Sequence, residues 1–155
     1  MKKVLLFMLF LLLFAASAVQ AAEEPQYFGV GATVTKLKDG IYSVKTEGNK
    51  ENEGFVFTPK DIKGGETYIF SVELQGATAI YLNVDETDPR GTFLAETVSP
   101  VISIHDVWRT VQLEVELQDS TSQIDAMVLT NKQEATEFKF RNVKVTKKEE
   151  TDAPE

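Results

Sequence analysis

Few side chains in this sequence are equipped for covalent chemistry. It has one histidine, His105, and no cysteine in 155 residues. A Ser–His–Asp or Cys–His nucleophile set would need His105 as its base, and no Gly-x-Ser-x-Gly turn accompanies it. His105 also has no cysteine or second histidine with which to ligate a transition metal. No glycine-rich loop opens onto a helix to cradle a phosphate. Glycoside hydrolysis needs only two carboxylates across a cleft, and Glu73, Asp85, Glu114, Glu116 and Asp125 all fall on predicted strands. Nothing singles out an acid pair among them, so the chain reads as a non-enzyme. The run Asp85-Glu86-Thr87-Asp88 lacks the alternating donors and closing glutamate of a calcium loop, and reads as a solvated acidic loop.

Recognition chemistry is better represented. Tyr81, Asn83 and Asp85 recur at every second position, so on a strand an aromatic ring, an amide and a carboxylate share one face. Ile80, Leu82 and Val84 take the other face and read as core. The Tyr81 ring is therefore expected outside, with the Asn83 amide two residues along. The alternative is a tyrosine that covers a neighbouring strand or lies under a loop. Trp108, the single tryptophan, stands at the head of a strand and is expected to plug one end of the core rather than to meet a ligand.

The elements that must position these groups are strands. Alternation of period two dominates from Gly29 onward, broken by Gly, Pro, Asn and Asp clusters. Strands are expected over 41–46, 54–58, 67–75, 79–85, 109–117, 123–130 and 137–146. The stretch 93–104 is expected as one edge or broken strand because Pro100 interrupts it. In the last strand Phe138 and Phe140 are even-numbered while Val143 and Val145 are odd, which predicts a β-bulge at Arg141-Asn142. No run of ten residues has helical periodicity. About eight strands with turns at roughly 10-residue intervals indicate an antiparallel two-sheet β-sandwich, all-β and one domain. Its expected limits are 29–146, with 22–28 a linker and 147–155 a charged, frayed tail.

Residues 1–21 read as a cleaved signal peptide. Lys2 and Lys3 precede an apolar run of 11 residues, Val4 to Phe14, and then small residues. The run is shorter than the ~20 residues that span a bilayer. Cleavage after Ala21 is preferred to cleavage after Ala18, leaving about 134 residues, enough for a core that needs no disulfide. A secreted, periplasmic or extracellular location follows, without a membrane association once the signal is removed. The chain has 16 basic and 24 acidic residues; loss of Lys2 and Lys3 leaves 14 basic, a net charge of −10. Such a surface repels phosphate backbones, which excludes nucleic acid as the expected partner and disfavours anionic membranes and acidic polysaccharides.

Three stretches in order carry a family resemblance. Ile62-Lys-Gly-Gly-Glu-Thr-Tyr-Ile-Phe-Ser71, Trp108-Arg-Thr-Val-Gln-Leu-Glu-Val115 and Phe138-Lys-Phe-Arg-Asn-Val-Lys-Val145 resemble the central-strand entry, the tryptophan strand and the terminal strand of β-jelly-roll carbohydrate-binding modules of the xylan-, β-glucan- and cellulose-binding type. The resemblance covers about residues 40–146. It implies a jelly roll in which the first, third, sixth and eighth strands form one sheet and the second, fourth, fifth and seventh the other. It also implies a sugar groove on the outer face of the second sheet. Family members use an aspartate pair in the last strand for a structural calcium. Here those positions are Arg141 and Asn142, and arginine cannot ligate a cation, so no cofactor is expected.

The implied groove strands supply Phe55, Phe57, Tyr81, Asn83, Asp125 and Met127 as candidate ligand-binding residues. Phe55 and Phe57 line the groove if Val56 is the core residue; otherwise they are core. Asp125 and Met127 oppose Ile124, Ala126 and Val128, on the groove side. The expected function is therefore non-catalytic binding of a neutral oligo- or polysaccharide, by aromatic stacking and by amide and carboxylate hydrogen bonds. The alternative is an exported structural or protein-interaction sandwich with no sugar site, meeting a protein partner at a sheet edge or apolar patch.

Overall fold

The computed structural model describes residues 24–149, and each regular element in it is a strand. Numbered in chain order, five strands form one path: β1 (Tyr27–Val30), β4 (Gly54–Phe57), β10 (Gln123–Thr130), β6 (Thr78–Thr87) and β7 (Phe93–Val98). A short β8 (Ile102–Ile104) also pairs with β6, completing a six-stranded sheet. The second, five-stranded sheet runs β2 (Ala32–Lys36), β3 (Tyr42–Thr46), β11 (Glu137–Lys147), β5 (Thr67–Gly76) and β9 (Arg109–Glu116). The pairings are antiparallel. This is the expected two-sheet sandwich, with the division of strands that the jelly-roll resemblance implies.

Three expectations need correction. Eleven strands are present among the described residues rather than about eight. Tyr27 and Phe28 belong to β1 and not to a linker, because their backbone pairs with Phe57 and Val56. The stretch 93–104 is two strands, β7 and β8, on either side of Pro100. The expected tail is pinned at its start, where Lys148 N donates to Thr67 O at 2.8 Å and its Nζ meets Glu114 at 2.8 Å. The leader expected over residues 1–21 lies outside the described residues.

The core forms because both inner faces follow the alternation. On β5, Tyr68, Phe70, Val72 and Leu74 are buried, and across the gap β6 contributes Ile80, Leu82 and Val84. An aromatic group joins the sheets at one end. Phe55 stacks on Phe140 with ring centroids 3.8 Å apart, Phe140 on Tyr42 at 5.1 Å, and Tyr27 meets Phe140 edge-on at 4.9 Å. Such pairs add about 0.5–1.5 kcal/mol each beyond the area they bury. Gly54 is needed where β4 crosses β10, since a Cβ there would lie 1.9 Å from the Val128 carbonyl oxygen.

The bulge falls where the phase change predicts it. The β11–β5 register shifts between Arg141 and Lys144, and Asn142 takes φ 52°, a left-handed value that asparagine tolerates. The extra residue returns Val143 and Val145 to the core side after Phe138 and Phe140. At this bulge Arg141 pairs with Glu73 and lies 4.3 Å above the Trp108 ring. Trp108 is thus half-buried under a guanidinium, rather than a core plug.

Two buried carboxylates tie loops to the sandwich. Glu53 is 1% exposed and accepts backbone hydrogen bonds from Gly48 at 2.6 Å, Asn49 at 2.9 Å and Lys50 at 3.1 Å. Burial pushes its pKa up, but the N–H donors of Gly48, Lys50 and Asn49 outweigh that and hold it below the ordinary glutamate value. Glu86 is 2% exposed and accepts from Gln118 N at 2.9 Å and Thr121 Oγ1 at 2.5 Å. The run 85–88 is therefore not a solvated loop. Its first three residues are strand, and Asp88, itself buried, closes the following turn by accepting from Arg90 N and Thr92 N.

Candidate functional site

Alternation on β4, β6 and β10 decides which candidate residues share a face. On β6 Ile80, Leu82, Val84 and Glu86 point inward, so Tyr81, Asn83 and Asp85 point outward. On β10 Ile124, Ala126 and Val128 are inward, which turns Asp125 and Met127 outward. Antiparallel register then sets Asp125 opposite Asp85 and Met127 opposite Asn83. The structure thus brings Tyr81, Asn83, Asp125 and Met127 together on the outer face of the six-stranded sheet.

Phe55 and Phe57 do not join them. Phe55 is fully buried and stacked on Phe140. Phe57, on the same side of β4, is half-buried with its ring 5.6 Å from that of Tyr27. Their place on the groove is corrected for a physical reason: β1 brings Tyr27 opposite Phe57, where its ring meets both phenylalanines on the inner side and leaves Val56 as the outward residue, while Phe57 stays half-buried at the β1 margin.

The face also contains Val56, the outward residue if Phe55 and Phe57 are core, and others that sequence reasoning missed. Val56 stands opposite Met127, and Phe28 opposite Val56; Phe28 is 58% exposed. Beyond β6, Val98 is the partner of Asn83 and Glu96 the partner of Asp85. No signal marked Glu96 and Val98, since each face of 93–98 mixes apolar and polar side chains. Their register against β6 was not readable.

Contacts fix the polar groups. The Tyr81 hydroxyl donates to Asn52 Oδ1 at 2.7 Å, anchoring the ring to the loop between β3 and β4. Asn83 is 8% exposed. Its Nδ2 donates to Asp85 Oδ1 at 3.1 Å, while its Oδ1 has no hydrogen-bond partner. Turning the amide over would set its oxygen against the carboxylate, so the orientation is fixed, with the oxygen enclosed by the protein. Thr58 donates to Asp125 Oδ1 at 2.5 Å. Burial raises the Asp85 pKa; Glu96 and Asp125 raise it further, against the lowering effect of Asn83. The Tyr81 phenol is raised by burial and then by Glu96, Glu51 and Asp85.

A cavity of about 550 Å³ opens at the β1 margin, lined by Glu24, Pro25, Gln26, Phe28, Phe57, Thr58 and Lys60. It is apart from Tyr81 and Asn83, but Thr58 and Phe28 connect it to the Asp125 end of the face. A second cavity of about 490 Å³, between Gln75, Asp106 and Glu137, belongs to the other sheet. His105 is exposed in the β8–β9 connection, and Trp108 precedes β9 of the other sheet. Among the described residues no group of three or more His, Cys, Asp or Glu side chains is placed to hold a metal ion.

No protein-family model and no curated protein matches the sequence. Solved structures do match the fold. The enzymatically active domain of bacteriophage CBA120 tailspike protein 4 superposes with TM-score 0.62 at 12% identity, over 80% of this chain and 19% of that one. A structure described as "CBM4 structure and function" gives 0.55 at 16% identity, over 83% and 91%. The CBM22-1–GH10 modules of Clostridium thermocellum endo-1,4-β-D-xylanase 10B, complexed with xylohexaose, give 0.65 at 18% identity, over 79% and 26%. This chain therefore spans about a fifth of the tailspike chain and a quarter of the xylanase chain, but nearly the whole CBM4 chain. Its fold is the β-sandwich of carbohydrate-binding modules.

Proposed function

We propose that this domain is a non-catalytic glycan-binding module that holds its ligand along the outer face of the six-stranded sheet. The observation that carries the reading is the outward Tyr81 ring, anchored through its hydroxyl to Asn52, with the Asp85 and Asp125 carboxylates on the same face. A sugar supplies both complements, a C–H face for the ring and hydroxyl donors for the carboxylates. Met127, Val56 and Phe28 extend the apolar part of the surface, and Asp85 and Asp125 add acceptors. Likeness to solved carbohydrate-binding modules supports the same reading.

The face is ill suited to glycoside hydrolysis. Asp85 and Asp125 are direct cross-strand neighbours, so they project in parallel from one side of a sheet. Hydrolysis needs its two carboxylates on opposite sides of the scissile bond. The leader read in residues 1–21 supports export of the module. A second reading, docking to a protein, is favoured by exposed Phe93, Val98, Val101 and Val107 around β7 and β8.

Affinity electrophoresis in gels containing different polysaccharides tests the proposal, alongside Tyr81→Ala and an assay for released reducing ends. Retardation by at least one polymer, lost in Tyr81→Ala, with no sugar released, is expected. Retardation by none of them, or retardation indifferent to Tyr81, would refute it.

A further inference from the structure

Resting on the glycan-binding reading above, we infer that the saccharide held by this domain bears an aryl substituent, and that the cavity at the β1 margin receives it.

The cavity lies where the chain enters β1. Phe28 points outward beside Val56, whereas Phe57 lies on the inner side against Tyr27. A space lined by both rings therefore wraps the margin of the sheet, from the outer face toward the aromatic core. Pro25 and Gln26 complete the lining, and this segment is held in place because Glu24 is tied to Lys36 of β2 at 2.6 Å. The floor is held as well. Tyr27 backs the Phe57 ring at 5.6 Å between centroids, and is itself packed edge-on against Tyr42 and Phe140. The site is thus built before a ligand arrives.

Size and lining decide what fits. A volume of about 550 Å³ is inside the ~300–1,000 Å³ of small-molecule sites. It is several times the ~150 Å³ that encloses one benzene in an apolar protein cavity, so an acetyl or methyl group would leave most of it unfilled. A bare sugar ring is hydroxylated along its edge, and the polar groups at hand are engaged: Glu24 with Lys36, and the Thr58 hydroxyl with Asp125. Sugar hydroxyls turned toward Phe28, Phe57 and Pro25 would lose water without gaining partners. A flat aryl group loses nothing there and meets two aromatic rings.

Position links the cavity to the sugar face. Phe28 is the register partner of Val56, and Val56 of Met127, so an apolar row leads from the middle of the sheet to the cavity. Thr58 lines the cavity while its hydroxyl bonds Asp125 of the face. A saccharide lying over Val56 and Met127 carries its substituent over Phe28, whose ring is 58% exposed and open to it.

Ligand-observed NMR titrations with β-glucosides that differ only in the aglycone test this: 4-methylumbelliferyl, methyl and octyl, the last below its micelle concentration. The 4-methylumbelliferyl glucoside should bind about tenfold more tightly than the methyl glucoside, the worth of one good aromatic contact, and more tightly than the octyl glucoside. Phe28→Leu keeps an apolar side chain but removes the ring, and should erase most of that advantage. Phe93→Ala removes an equally exposed ring from the opposite margin of the sheet, and should leave it intact. No advantage over the methyl glucoside, or one that survives Phe28→Leu, overturns the inference. Equal or tighter binding of the octyl glucoside overturns it in favour of an alkyl chain. An advantage lowered equally by Phe93→Ala overturns it as general adhesion to exposed rings. Each of these failures leaves retardation by polysaccharide, and its dependence on Tyr81, untouched, so the glycan-binding reading stands or falls separately. If the 4-methylumbelliferyl glucoside binds but no polysaccharide retards the protein, that reading falls and takes the inference with it.

Discussion

The phenolic hydroxyl of Tyr81 is bonded to Asn52 Oδ1 at 2.7 Å, across 29 residues of chain. Asn52 sits at φ 68° in the loop between β3 and β4, and its own N–H is held by the Thr130 carbonyl at 3.0 Å. The ring is thereby fixed before any ligand arrives, which lowers the ordering cost of binding. Asn52→Gly, whose glycine accepts the left-handed backbone at this position, frees the ring without touching the face. It should weaken retention in polysaccharide gels about two- to tenfold, the worth of one neutral hydrogen bond, with little change in melting temperature.

Phe55 gives the opposite outcome. Its ring is core, stacked on Phe140, so Phe55→Leu should cost about 1–3 kcal/mol of stability and leave glycan affinity unchanged. Urea unfolding beside the same retention assay separates the two effects. A loss of affinity in protein that is still folded would return Phe55 to the groove.

Glu86 should matter more than its sequence context suggests. Glu86→Ala leaves the Gln118 N–H and the Thr121 hydroxyl without their acceptor, a loss of about 1–3 kcal/mol. A shift of the urea midpoint at an unchanged slope would register it.

Glu53 predicts a pH effect. A carboxyl whose folded pKa is lowered contributes stability above its unfolded value and loses it as pH falls through the lower, folded value. Glu53→Gln should therefore melt below the wild type at neutral pH, and the gap should close on acidification through and below the ordinary glutamate range. Melting curves of both proteins at matched pH check this.

Asp85 has the reverse sign. Its folded pKa is raised, by burial and then by Glu96 and Asp125. Its contribution is thus full below the ordinary aspartate value and is lost as pH rises through the raised one. Asp85→Asn should match or exceed the wild type in stability at neutral pH and lose that advantage in acid.

Much of the fold is written locally, because alternation on 67–75, 79–85 and 123–130 is unambiguous and the phase change at Arg141-Asn142 marks the bulge. Orientation was legible where one face is apolar and the other polar, as for Tyr81, Asn83, Asp125 and Met127. It was not legible in Phe55-Val56-Phe57, where both faces are hydrophobic and the arrival of Tyr27 on β1 decides. One group of outer-face carboxylates was unreadable for a similar reason. Asp85, Glu96 and Asp125 become neighbours through the registers of β6 with β7 and β10, which long-range pairing sets.

The strand order has a consequence for how the chain matures. β10 lies at the middle of one sheet and β11 at the middle of the other, and both come from the C-terminal part of the described chain. Until they are made, β4 has no link to β6, nor β3 to β5, and each sheet remains two separate fragments with open edges. Assembly must wait until β10 and β11 have been made, so a nascent chain stopped before Gln123 would show strand segments but no cooperative unfolding transition.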